Sequence, residues 1–280
     1  SVKGDDGNET LVPDIVTAKN AILKTENGNI TTNGVDAGGK IMLVSTGGIY
    51  TGGRTLPEST DTGTITLNGK LHSGSTDADA VIIATKGSFV NKTKNTETDT
   101  TAAITTGTGG SWKIYSATPY SDTFGTNLNS GTYAFWHMKY DGTSDAVQSK
   151  QNQYIFAYTP TITVTANDAS KAYGAESTGN GYTTSIESFA DYTSVFQETT
   201  NRLSLGTVNL NSTGFPASAA VNTYAIVPSG VAATATGYAV SYINGTLTVT
   251  DNGTSPVNPN PNPNPTPEPT PTPTPEPAPS

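Results

Sequence analysis

Three short segments decide the fold of this chain: Ile30-Thr31-Thr32-Asn33, Ile65-Thr66-Leu67-Asn68 and Ile104-Thr105-Thr106-Gly107. A second set runs between them, Ile22-Leu23-Lys24-Thr25, Leu43-Val44-Ser45-Thr46 and Ile82-Ile83-Ala84-Thr85, each closing on Gly or Asn a few residues later. Each pass is too short to bury its own apolar side and gains stability only by stacking on the pass before it. β-branched side chains suit a pleated strand, and glycines such as Gly28, Gly34, Gly69 and Gly87 supply the turns. Residues 20–111 therefore read as the last coils of a right-handed parallel β-helix, with 1–111 assigned to that region and residues 1–19 as its polar entry.

The spacing supports this. The coil from Ile22 to Leu43 takes about 21 residues and the next, to Ile82, about 39, the excess lying in polar Arg54 to Thr64. A similar excess runs from Asn91 to Thr101, so two loops are expected at one corner of the stack. The same register predicts that Ile30, Ile65 and Ile104 form one inward column and that Ile22, Leu43 and Ile82 form a second. An antiparallel sandwich is the less favoured alternative.

Composition narrows the function. With 280 residues, 33% hydrophobic and 29 Gly, the chain is lean for a globular enzyme but suits a solenoid, whose coils each bury a narrow stripe. The net charge of −9 repels nucleic acid and anionic membrane surfaces. Cysteine is absent, which excludes disulfides and thiolate metal sites. No signal peptide or apolar run long enough for a bilayer is visible, so direct membrane insertion is not expected. The chain also opens almost inside the first repeat, as a segment of a longer protein would.

Residues 112–159 differ: half of the aromatic residues fall there, both tryptophans among them. An exposed last coil offers apolar surface and unpaired backbone, which solenoids cover with an atypical segment. The competing reading is a sugar-stacking platform, for which Trp112, Tyr115, Tyr120 and Trp136 are the candidates.

Residues 160–251 read as a small β-rich domain. Ile162, Val164 and Ala166 alternate with threonines, Tyr238, Val240 and Tyr242 alternate again, and Asn244-Gly245 is a hairpin signal. Ser188 to Asn201 carries Tyr192, Val195 and Phe196 at helical spacing; with that helix the domain is grasp-like, without it Ig-like. Residues 252–280 are a proline-rich tail of Asn-Pro and Thr-Pro pairs that forms no core, an extended disordered spacer or stalk.

Two sets of residues carry a family resemblance. Trp112-Lys113-Ile114-Tyr115-Ser116, Asp122-Thr123-Phe124-Gly125 and Tyr154-Ile155-Phe156-Ala157-Tyr158 resemble the segment that closes the β-helix in exoproteins of the filamentous haemagglutinin type. Ile162 to Ala166, Lys171-Ala172-Tyr173-Gly174, Asn222 to Ile226, Gly237 to Tyr242 and Gly245 to Val249 resemble one MBG domain. The resemblance implies a large secreted adhesin acting in attachment to surfaces, cells or biofilm matrix. It also implies two-partner secretion through an outer-membrane β-barrel partner; the motifs identify architecture and secretion route rather than a ligand, and glycans or exopolysaccharide are the candidate partners.

Catalytic chemistry is not expected. A β-helix lyase or hydrolase needs clustered carboxylates or a carboxylate with a basic partner on one face, whereas these strands carry Ile, Val, Leu, Thr and Ala. The acids, Glu58, Asp61, Asp77, Asp79, Glu97 and Asp99, sit in expected loops. His72 and His137 lie far apart, and neither Asp77-Ala78-Asp79 nor Asp5-Asp6-Gly7-Asn8 makes a full calcium loop. No metal and no cofactor is expected. The rivals to a structural adhesin segment are a carbohydrate-binding module and a polysaccharide-active enzyme.

Overall fold

The computed structural model describes residues 2–3, 9–10, 15–25, 28–45, 63–94, 100–142, 149–198, 205–231 and 237–253. The fold is all-β; the helical elements among the described residues are two single 3-10 turns, Pro119–Ser121 and Ala190–Tyr192. Two compact units are present, one of Ser1–Thr165, Tyr182–Asn209 and Pro228–Ile243, the other of Ala166–Gly181, Leu210–Val227 and Asn244–Ser280.

In the first unit, β1 (Val2–Lys3) and β2 (Glu9–Thr10) form an antiparallel pair. There follow β3 (Ile15–Thr17), β4 (Ala21–Thr25), β5 (Ile30–Thr32), β6 (Val35–Ala37), β7 (Ile41–Ser45) and β8 (Thr64–Leu67). After these come β9 (Leu71–Ser73), β10 (Val81–Thr85), β11 (Ser88–Asn91), β12 (Ile104–Thr106), β13 (Trp112–Ser116) and β14 (Gln153–Phe156). They form three sheets, ordered β12-β9-β6-β3, β14-β13-β10-β7-β4 and β11-β8-β5. Neighbouring strands within them pair parallel, and from β3 to β11 the chain visits the three sheets in constant rotation. Each strand is short because its neighbours, one circuit away, supply the hydrogen bonds and the apolar contact.

One apolar core runs through the stack, holding Val35, Leu71 and Ile104 from one sheet, Leu43, Ile83 and Ile114 from the second, and Ile30, Ile65 and Phe89 from the third. The expected columns need correction. Ile30 does pair with Ile65, but Phe89 is the third member, and Ile104 pairs with Leu71 in another sheet. Leu43 aligns with Leu23 and Ile83, whereas Ile22 aligns with Met42 and Ile82 on the opposite face. Ile22 is 58% exposed. The reason is that strand residues alternate in facing, and two apolar neighbours in a row leave the inward one undefined.

The corners demand close approach. A Cβ at Gly69 would lie 1.4 Å from the Asn33 carbonyl oxygen, so only glycine fits that turn. Residues 54–62 and 95–99 of the two expected loops, the sequence Asp5-Asp6-Gly7-Asn8 and residues 254–280 of the tail lie outside the described residues.

The aromatic-rich segment is itself partly strand: β13 and β14 extend one sheet by two members. Between them, Phe135, Met138 and Tyr140 pack on the outer face of that sheet, against Val44, Ile82, Ala84, Tyr115 and Ile155.

The remaining strands are β15 (Thr161–Ala166), β16 (Ala169–Ala172), β17 (Tyr182–Ile186), β18 (Asn209–Asn211), β19 (Asn222–Ser229), β20 (Ala239–Ile243) and β21 (Gly245–Thr250). They make two sheets, β17-β15-β20 and β16-β21-β19-β18. Asn244-Gly245 is not a hairpin: β20 pairs parallel with β15, and β21 pairs antiparallel with β19. Gly245 is required instead by close packing, since its Cβ would sit 2.6 Å from the Ala166 carbonyl oxygen. The helix expected over 188–201 is absent through residue 198; Tyr192, Val195 and Phe196 turn inward from the short 3-10 turn and the residues after it.

The second unit has its own core of Ala166, Ile226, Leu247 and Val249, with Tyr173, Phe215 and Tyr224 against it. Lys171 is buried there, its ammonium donating to the carbonyls of Ala175 (2.9 Å), Phe215 (3.1 Å) and Pro216. Three carbonyl partners match its three donors, so the charge ties the turn after β16 to the 215–216 segment.

Candidate functional site

Of the four residues expected to form a stacking platform, three are inside. Trp112, Tyr115 and Trp136 are 2%, 2% and 4% exposed, and Tyr120 alone is 50% exposed. Trp112 meets Tyr154 edge-on, with ring centres 5.0 Å apart. Tyr115 packs against Tyr140, and burial pushes its hydroxyl up to about 12, with Tyr140 and nearby carboxylates adding to the effect. Trp136 stacks on both Phe156 (5.0 Å) and Phe189 (4.7 Å). No row of exposed rings exists among these four, because burying each ring removes 150–250 Å² from water and the end of the stack supplies the partner surface.

The aromatic cluster reaches beyond the segment expected to hold it. Phe124, Tyr154, Phe156 and Trp136 pack with Phe189, Tyr192 and Phe196, largely edge-to-face. Two carboxylates fasten this cluster. Glu187 accepts from the hydroxyls of Tyr120 and Tyr158, the latter at 2.8 and 2.9 Å, and from the Thr161 amide at 3.2 Å. Burial alone raises its carboxyl, but these donors outweigh it and hold the group below its usual value. Glu198 accepts from the Trp136 indole at 2.7 Å and from the Tyr238 hydroxyl at 2.9 Å. Burial and the Glu187 carboxylate push the Tyr120 hydroxyl well up.

Between these two carboxylates the surface opens into a cleft of about 320 Å³, walled by Ile186, Phe189 and Phe196 and edged by Ser188 and Thr193. The Thr193 hydroxyl donates to the Ala190 carbonyl at 3.2 Å. Among the described residues the lining includes no lysine, arginine or histidine. Its polar groups are chiefly acceptors.

Other ionisable groups have local partners. Lys40 bridges Asp79 (2.6 Å) and Asp77 (3.1 Å), putting an ammonium where a cation was considered. His72 and His137 contact Thr105 and Thr159 hydroxyls, and no group of three or more metal-ligating side chains occurs among the described residues. Asp122 accepts from the Phe89 amide (2.8 Å) and lies 2.5 Å from the Ser116 hydroxyl; burial pushes its carboxyl up to about 7 against the lowering pull of these donors. Lys113, buried among Ser111, Ser149 and Gln151 oxygens, is pushed down to about 8 by burial.

Strands β15 to β21, with the buried Lys171 ahead of Tyr173-Gly174, bear the mark of a known module. Residues 162–248 match the family model of the MBG domain, YGX type. The MBG segment supplies residues to both compact units, and Glu187, Phe189, Phe196, Glu198 and Tyr238 all come from it. Neither the curated proteins nor the solved structures gave a match to the chain. Sequence reading missed Glu187 and Glu198, since neither belongs to a recognisable motif and their partners are distant in sequence, Tyr120 being 67 residues from Glu187.

Proposed function

We propose that this chain is a segment of a large secreted cell-surface adhesin. In this reading the three rotating parallel sheets are the last coils of a right-handed parallel β-helix that serves as shaft, and the proline-rich tail is the stalk near the outer membrane. The observation that carries it is the conjunction, in one chain, of a parallel stack with an MBG segment, a domain typical of large surface proteins. The role is mechanical and adhesive rather than catalytic: strand side chains are spent on the core, and Asp77 and Asp79 are spent on Lys40. Export by two-partner secretion through an outer-membrane β-barrel rests on the resemblance to filamentous haemagglutinin-type exoproteins, and glycans or biofilm exopolysaccharide are the candidate partners.

The Glu187 and Glu198 brackets support a load-bearing role. They fasten Tyr120, Tyr158 and Trp136, next to the last strands of the stack, to the MBG segment. The test is external protease accessibility on intact cells producing the full-length protein with its β-barrel partner, scored beside attachment to an abiotic surface. We expect a surface-exposed chain, and attachment that falls when residues 15–158 are deleted in frame. A chain that stays inside the cell, or attachment unchanged by the deletion, overturns the reading.

A further inference from the structure

We propose that Tyr120 and Tyr158 form an oxidative cross-linking site, at which hydrogen peroxide and a haem peroxidase join the two rings as dityrosine. Both hydroxyls donate to the same oxygen of Glu187, that of Tyr158 at 2.8 Å. The ring edges that carry those hydroxyls, ortho carbons included, therefore converge on one point. The ring centres lie 5.4 Å apart at an interplanar angle of 89°. The two rings of a biaryl twist out of one plane, so a crossed pair does not have to be flattened before it couples. Holding both reactants in place replaces a chance encounter with a reaction inside one site.

Access and proton balance favour the same pair. Tyr120 is 50% exposed, so the oxidant reaches it. Tyr115 and Tyr140 are as close, at 5.3 Å, but both are buried, and Tyr192 lies farther from Tyr120, at 6.0 Å. Each phenol gives one electron to the peroxidase and its hydroxyl proton to Glu187, which is half-buried and passes the proton to water. The two phenoxyl radicals then pair in a carbon–carbon bond between ortho carbons, and each ortho hydrogen moves to its oxygen to restore the phenol. Two tyrosines and one hydrogen peroxide thus give one dityrosine and two waters. In a chain without cysteine this bond closes a covalent loop from the 3-10 turn after β13 to the residues after β14, which restricts the unfolded chain as a disulfide does. The site does not depend on the adhesive reading and goes beyond it.

The test treats the whole chain with a haem peroxidase and hydrogen peroxide, diluted so that coupling stays within one molecule, and then isolates the monomer in denaturant. We expect the blue fluorescence of dityrosine in that monomer, and a pair of peptides joined through Tyr120 and Tyr158, lighter by two hydrogens than the separate peptides together. Tyr120→Phe and Tyr158→Phe, which keep the ring and remove the phenol, each abolish the monomer signal. Tyr182→Phe, at an exposed tyrosine elsewhere, leaves it unchanged. The joined peptides are mapped in the unaltered chain, so the result stands even where a variant folds poorly. A monomer without dityrosine, a bond mapped to Tyr115 and Tyr140 or to Tyr120 and Tyr192, or a signal that survives in either phenylalanine variant overturns the proposal.

Discussion

The parallel sheets and the aromatic junction solve the same problem in opposite ways. Along the stack, aliphatic residues such as Ile30 and Ile65 or Leu43 and Ile83 repeat in parallel register, and each circuit needs only the next one. At the junction nothing repeats. Trp136, Phe156, Phe189 and Phe196 interlock, and two carboxylates hold the outer rings by their polar tips. The stack spreads its stability over many interchangeable contacts; the junction concentrates it in a few that have no substitute.

The sharpest way to break that contrast is Trp136→Ala. It removes two ring stacks and leaves Glu198 without its indole donor, so a loss of about 3–5 kcal/mol is expected by denaturant unfolding, with the junction melting as one body. A loss confined to Trp136 itself, with Phe196 and Tyr238 unperturbed, would place the junction in the same class as the parallel sheets. Next, Ile65→Ala in mid-stack is expected to cost about 2–4 kcal/mol, with faster amide exchange in β5, β8 and β11 and little change at the junction.

A third test uses pH. Asp122 sits at about 7 when folded against 3.8 as its ordinary value, so the folded chain holds this proton more tightly than the unfolded one between those values. Its stabilising contribution is therefore complete below about pH 4 and is lost as pH rises through 7. Asp122→Asn mimics the protonated group, and we expect it to raise the melting temperature at pH 8 by a few degrees and to leave it unchanged at pH 4. The smallest effect is reserved for Ile22→Ser. Being 58% exposed on the outer face, Ile22 should tolerate the change within about 0.5 kcal/mol, whereas Leu23→Ser on the inner face should not.

That last pair shows what was legible in the sequence. The short Ile-Thr passes announce an all-β fold, since brief β-branched and threonine-rich runs suit pleated strands. Facing was not legible where two apolar residues adjoin, as in Ile22-Leu23, Met42-Leu43 and Ile82-Ile83, because the outer face of that sheet is itself partly covered, by Phe135, Met138 and Tyr140. The placement of Ile104 failed because two strand types were read where the chain has three: Phe89 of β11 takes the place beside Ile65, and Ile104 belongs to the next strand of the rotation, opposite Leu71. Asn244-Gly245 misled through a local signal overridden by tertiary packing around Gly245, and the run from Tyr192 to Phe196 carries a helical spacing that a short turn serves equally well. Of the platform residues only Tyr120 stayed at the surface, and the carboxylates that make the cleft have no pattern of their own. Their meaning comes from rings that fold next to them.

The parallel pairing of the stack has a further consequence, for the order in which the molecule is made. Every strand from β6 onward through β11 lies beside one from the preceding circuit, already emerged when a chain is delivered N-terminus first. A nascent circuit thus finds its template finished and has no need to wait for anything downstream. Growth of this kind never has to undo an earlier step, and it advances in one direction, like a ratchet turned by delivery of the chain itself.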